Sequence, residues 1–223
     1  MFNAAPCLSL LCRPRFFMRA GVLPVLGILM FCAAGCSLLP PPAADPTKYY
    51  VLTDRETTDT SHTPSPEAVH LVLRGIELPG YLRSTRAMVV RDGLNEIRYL
   101  DYARWAESLE QGLGRVLKSE LLLQSDKVAS VEPVGLPSDF HRTYDVSVRV
   151  HLCEGGVISG SHKVAKFSAS YEIISMETKH VVAHKTFSAP DAPWNGDDFS
   201  ALAHLLSEEA AALADDIAAN LPK

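Results

Sequence analysis

Cys153 and His151 stand two residues apart, the spacing of a thiol and a base when both reach one pocket. Here both fall on the side of an alternating strand that should face solvent, so a lone exposed thiol is the plainer reading. His180 and His184 are four apart. On a helix that offset would align them. On a strand, which their flanks suggest, they share a face at about 13 Å, too far for one metal ion. Gly155-Gly156-Val157-Ile158-Ser159-Gly160 is glycine-rich enough for anion binding, but its place between two alternating strands reads as a wide hairpin loop. The chain has no phosphate-loop pattern, no Gly-x-Gly-x-x-Gly, no Gly-x-Ser-x-Gly and no His-Glu-x-x-His. No pair of carboxylates has a pocket-like context for acid–base work. Neither an enzyme nor a metal or cofactor site is expected.

The most specific chemistry lies at Cys36. Arg13, Arg15 and Arg19 are the only charges before it, and Ala20 to Gly35 is uncharged, interrupted by Gly21, Pro24 and Gly27. Sixteen residues are short of the roughly 20 that span a hydrocarbon core, whereas basic residues followed by a short apolar run make an export signal. The run ends Ala33-Ala34-Gly35-Cys36. Small residues let a peptidase close on the backbone, and the cysteine thiol can take a diacylglyceryl group. The box is similar to the bacterial lipoprotein cleavage box, with Ala33 where Leu is usual. Residues 1–35 are thus expected to be a signal peptide and Cys36 the lipid-bearing mature N-terminus, acylated by palmitate-like chains. More than one chain matters, since a single acyl chain binds a membrane only reversibly. Translation could begin at Met1 or at Met18, where the signal is more compact. Ser37 after the cysteine, rather than Asp, is the pattern of an outer-membrane address.

Composition agrees with a folded domain: 47% hydrophobic and 21% charged residues exclude collagen, rod and disordered classes. From Cys36 onward 18 basic residues face 26 acidic ones, which argues against nucleic acid as partner. Cys7, Cys12 and Cys32 would leave with the signal and Cys36 would be blocked, so Cys153 has no disulfide partner within the chain.

Residues 36–48, with Pro40-Pro41-Pro42, read as an extended tether, and 49–223 as one domain. Lys48 to Leu52 is a strand candidate, and Val69 to Ile76 a second, followed by a turn at Pro79-Gly80. Met88–Arg91 and Glu96–Leu100 flank Asp92-Gly93, a hairpin signal. Trp105, Leu109, Leu113, Val116, Leu117 and Leu121 follow a 3.6-residue period, predicting a helix from Trp105. Val128–Val131 is a short strand. Thr143–Cys153 alternates strictly, with Glu154-Gly155-Gly156 starting a turn; Val164–Ile174 and Val181–Phe187 complete an antiparallel meander. After a Pro-rich turn at Pro190 and Pro193, Phe199 to Leu221 carries a second helical stripe, capped by Asp197 or Asp198. The expected class is α/β, a three-layer-like sandwich in which a mixed or antiparallel sheet packs with two long helices.

The order of these features resembles the PqiC/YmbA-like family of ABC-type transport auxiliary lipoproteins. The match lies in Cys36 with its Pro-rich spacer, in Tyr49-Tyr50-Val51-Leu52, in Leu78-Pro79-Gly80-Tyr81-Leu82, and in Ile97 to Leu109, where Arg104-Trp105-Ala106-Glu107 opens the long helix. Tyr50, Leu52, Arg104, Trp105 and Leu109 would be its structural motif. Arg83 to Ala87 departs from the family by lacking a proline. The resemblance implies a lipoprotein on the periplasmic face of the outer membrane, held there by its lipid. It also implies an adaptor role in intermembrane lipid transport and membrane integrity, with an MCE-domain protein and an inner-membrane permease or ABC system as partners, and a homo-oligomeric ring in some relatives. Tyr81 and Leu82, just past a turn, are candidates for a partner interface, and Trp105 for core. The competing reading is an envelope structural or assembly lipoprotein without a transport role.

Overall fold

The computed structural model describes residues 43–55, 64–124, 126–133, 141–159 and 162–222. The chain divides into two units, Met1–Asp45 and Pro46–Lys223, and the described secondary structure lies in the second. Cys36, the expected signal and most of the expected tether lie outside the described residues.

One long strand organises the sheet. β6 (Thr143–Ser159) carries the alternating valines Val146, Val148 and Val150, all buried. One edge pairs antiparallel with β7 (His162–Ser175) over its length. The other edge is shared. β2 (Val69–Leu73) pairs parallel with Thr143–Val146, Glu77 bridges at Arg149, and β3 (Ala87–Asp92) pairs parallel with Gly155–Val157. β5 (Val128–Glu132) lies parallel beside β2; β4 (Glu96–Trp105) forms the antiparallel hairpin with β3; β1 (Lys48–Tyr50) runs parallel to the end of β4. Beyond β7 come β8 (Val181–Ser188) and the short β9 (Ala192–Trp194). The result, among the described residues, is one mixed sheet of nine strands.

Among the described residues three helices accompany it: α1 (Gly80–Arg83), α2 (Leu109–Leu123) and α3 (Phe199–Ala219). Ser108 caps α2 by accepting from the Gln111 amide, and Asp198 caps α3 by accepting from the Ser200 and Ala201 amides. The expected stripes are buried: Leu109, Leu113, Val116, Leu117 and Leu121 on α2, and Leu202, Leu206, Leu213 and Ile217 on α3. They close with Ala165, Phe167, Ala169, Tyr171 and Ile173 of β7 into one core. Each such side chain contributes about 1.5–3 kcal/mol by leaving water. The expected α/β class, the hairpin at Asp92-Gly93 and the β6–β7–β8 meander are all present.

Four local expectations are corrected. Trp105 does not open the helix but ends β4, paired with Tyr50, and is buried at 5% exposure. Cys153 does not face solvent. A bulge at His151, between the pairs Val150–Ala169 and Leu152–Ser168, shifts the alternation by one and turns the thiol inward to 2% exposure. Glu154-Gly155-Gly156 is strand, not turn, because β6 continues to Ser159. The supposed Pro-rich turn contains β9, with Pro193 opposite Val164 at the sheet edge. Gly155 is required by close approach: a Cβ there would stand 2.9 Å from Trp194 and 3.3 Å from both Leu202 and Val90.

Candidate functional site

The domain's first strand is β1, and the next residues lie across both long helices. Leu52 is buried against Gly112 of α2, where a Cβ would stand 3.5 Å from its methyl group. Arg115 donates to the Leu52 carbonyl at 2.6 Å and pairs with Glu107 at 2.7 Å. The Thr53 amide donates to Ser207 of α3 at 3.0 Å, and the Arg55 amide to the buried Glu120 at 2.6 Å. The Arg55 side chain reaches Asp215 of α3 at 2.8 Å. Residues 52–55 therefore form a strap whose polar groups bond alternately to α2 and α3. Of the expected motif, Tyr50, Leu52, Trp105 and Leu109 meet here, with Tyr50 half-buried and the other three in the core. Arg104 instead turns outward and donates to the Asp101 carbonyl.

The candidate pair Tyr81 and Leu82 divides. Pro79 ends the run along β6 and Gly80 begins α1, which aims Leu82 inward to 4% exposure. Leu82 belongs to the core and offers no surface. Tyr81 is half-buried: its hydroxyl donates to the His151 carbonyl at 3.3 Å and accepts from Arg91 at 3.2 Å, and the Arg91 guanidinium lies 5.5 Å from its ring centre. Arg91 also donates to the buried Glu154 at 2.5 Å. Burial first, and Glu154 second, push the Tyr81 phenol well above its ordinary range, so it stays protonated. This trio fixes α1 between β3 and β6, and only the rim of Tyr81 is open to contact.

The residue types that suggested chemistry are not brought together. Cys153 is shut inside, its thiol pushed up by burial, then by Glu209 and Glu154. His151 turns the other way, bonding Ser170 at 3.0 Å. Among the described residues no group of three His, Cys, Asp or Glu could hold a metal ion. Sequence reasoning missed Glu209 of α3, 7% exposed with neither oxygen bonded, and lifted to a pKa of about 7 by burial and then by Asp191. Its spacing was the available signal: Leu202, Leu206, Glu209 and Leu213 stand at i, i+4, i+7 and i+11, which puts the glutamate on the buried stripe, and only its charged type suggested water. No described helix is long and apolar enough to cross a membrane. A surface cleft of about 450 Å³ between Leu73, Ile76, Gly114 and Val131 is shallow and is lined by no histidine or thiol.

A family model described as ABC-type transport auxiliary lipoprotein component matches residues 50–218. No curated protein matches. Among solved structures, protein XCC0632 from Xanthomonas campestris is similar at 18% identity, over 77% of this chain and 92% of its own, with a TM-score of 0.60. A crystal structure described only as an uncharacterized protein is similar at 17% identity, over 79% and 99%, with a TM-score of 0.63. At these identities the two structures establish a shared fold. The family model spans β1 to α3, and on that ground the chain belongs to the ABC-type transport auxiliary lipoprotein components, envelope proteins that serve a transport system without catalysing a reaction.

Proposed function

We propose that this protein is a lipid-anchored adaptor on the periplasmic face of the outer membrane, serving an intermembrane lipid transport system built from an MCE-domain protein and an inner-membrane permease or ABC transporter. The observation that carries the reading is the joining of two features. A lipoprotein-type Ala33-Ala34-Gly35-Cys36 box lies one short spacer ahead of β1, and β1 begins an auxiliary-component domain. Acyl chains on Cys36 would hold the domain by about 0.8 kcal/mol per buried CH₂. The energy for transport would come from the nucleotide-hydrolysing partner. Copies of the chain assemble in a ring in this reading. Its support is the outer edge of β8, which pairs with no other described strand and exposes Val181 and Val182, a template for strand addition.

The test is purification of the acylated protein from gently solubilised envelopes, with mass spectrometry of what accompanies it. Recovery of an MCE-domain protein or a permease is the expected result. Recovery of peptidoglycan-bound or barrel-assembly proteins alone would replace the transport reading with the structural one. Cys36→Ser protein that stayed as membrane-bound as the parent would remove the anchor itself.

A further inference from the structure

Two hairpins end side by side at one end of the sheet. β3 and β6 are parallel, with Asp92 opposite Val157, so the two strands end at the same edge of the sheet about one strand spacing apart, roughly 5 Å. Each end exposes a large aliphatic side chain. Leu94 is 88% exposed, the largest value among the exposed hydrophobic residues, and Ile158 is 55% exposed. Neither supports the turn that carries it: Gly93 supplies the positive φ of the first, and Leu94 gives only its carbonyl, to Arg91. Two exposed apolar side chains thus lie on neighbouring strand ends, Leu94 between Asp92 and Glu96 in sequence and Ile158 between Val157 and Ser159.

The direction of β1 says what this end faces. β1 is parallel to β4, and β4 runs away from the tip, so Lys48 is the tip-side end of β1. Lys48 lies opposite Ala103, seven residues from Glu96, hence at most about 23 Å from the tip. The eleven residues 37–47 can span up to about 36–40 Å. A lipid on Cys36 can thus lie in a bilayer that the tips touch, with length to spare. We infer that Leu94 and Ile158 form a second, non-covalent membrane contact, dipping into the same lipid leaflet as the acyl chains and setting the sheet upright on the bilayer. Tyr99, exposed farther along β4, then sits at headgroup depth, where an amphipathic ring is favoured. This inference rests on the lipid anchor proposed above.

The experiment uses full-length acylated protein, its lipid verified by mass spectrometry. Leu94→Cys, Ile158→Cys and, as control, Val182→Cys carry a polarity-sensitive fluorophore. Cys153 is sealed in the core and Cys36 would be a thioether, so the introduced thiol is the reactive one. Val182 lies beside the far end of β7, about 40 Å from the tips. The proteins are placed in vesicles of phosphatidylethanolamine and phosphatidylcholine, the latter with brominated chains. The expected result is a blue shift with bromine quenching at 94 and 158 and neither at 182. Acylated protein with no quenching at 94 and 158 overturns the tip contact while leaving the anchor intact. A blue shift without bromine quenching assigns the tips to another protein surface and also overturns it. Protein that carries no lipid overturns both readings.

Discussion

Replacing Glu209 with glutamine should stabilise the protein at neutral pH and remove part of its pH dependence. Glu209 is buried under α3 with neither carboxylate oxygen bonded. Around it lie Asp191, held 3.8 Å from Lys166, and Cys153 of β6 with its neighbour Glu154. Burial, with Asp191 second, lifts its pKa from 4.5 to about 7. A carboxyl group whose folded pKa is raised favours the native state when protonated. Its contribution is therefore complete below the unfolded value of 4.5, fades as pH rises, and is gone above about 7. That interval corresponds to a ceiling of about 3 kcal/mol, and residual water access to the carboxylate reduces the expectation to about 2 kcal/mol. For a domain of this length each kcal/mol moves Tm by about 2–4 °C. Glu209→Gln should thus raise Tm by about 4–8 °C at pH 8 and by little at pH 5. Thermal melts of both proteins at the two pH values measure it, since other titrating groups cancel in the comparison. A variant no more stable than the parent at pH 8, or a gain of equal size at both pH values, would refute the buried, uncompensated carboxylate.

Gly155→Ala should cost about 1–3 kcal/mol, because its Cβ would press on the Trp194 ring and the Leu202 methyl group; urea unfolding measures it, and a neutral result would mean that β9 can move aside. Leu82→Ala should cost about 2–5 kcal/mol as a core truncation, whereas Tyr81→Phe, which keeps the ring over Arg91, should cost under about 1 kcal/mol. Equal costs would place Leu82 outside the core. The Cys153 thiol should resist maleimide in native protein and react fully in denaturant; fast native labelling would contradict its burial.

Where one period ran without interruption, the sequence was enough. β7 alternates without a break from Ala165 to Ile173, and the α3 stripe keeps its 3.6-residue period from Leu202 to Ile217, so both elements and their buried faces could be read directly. The failures share a cause. An offset of four fits a strand as well as a helix, so Trp105 and Leu109 looked like one helical face although Ser108 divides strand from helix between them. The bulge at His151 reverses inside and outside halfway along β6, and nothing in the local residue types marks it. Gly155 and Gly156 resemble a turn, yet they are small because Trp194 and Lys166, distant in sequence, press on the strand. The strap at 52–55 and the adjoining hairpin ends were illegible for the same reason: each depends on which strands become neighbours, and parallel pairing of β3 with β6 leaves no local signature.

The strap also bears on how the domain withstands being pulled. With the lipid proposed for Cys36 in place, a membrane moving away would drag Lys48 back along the axis of β1, sliding the strand against β4 rather than peeling it sideways. Sliding must break the β1–β4 ladder, the Arg115 bond to Leu52 and the seat of Leu52 together. Resistance to tension of this sort is a matter of unfolding rate rather than of equilibrium stability. Leu52→Ala protein should therefore yield its N-terminal strand at lower force in an optical trap.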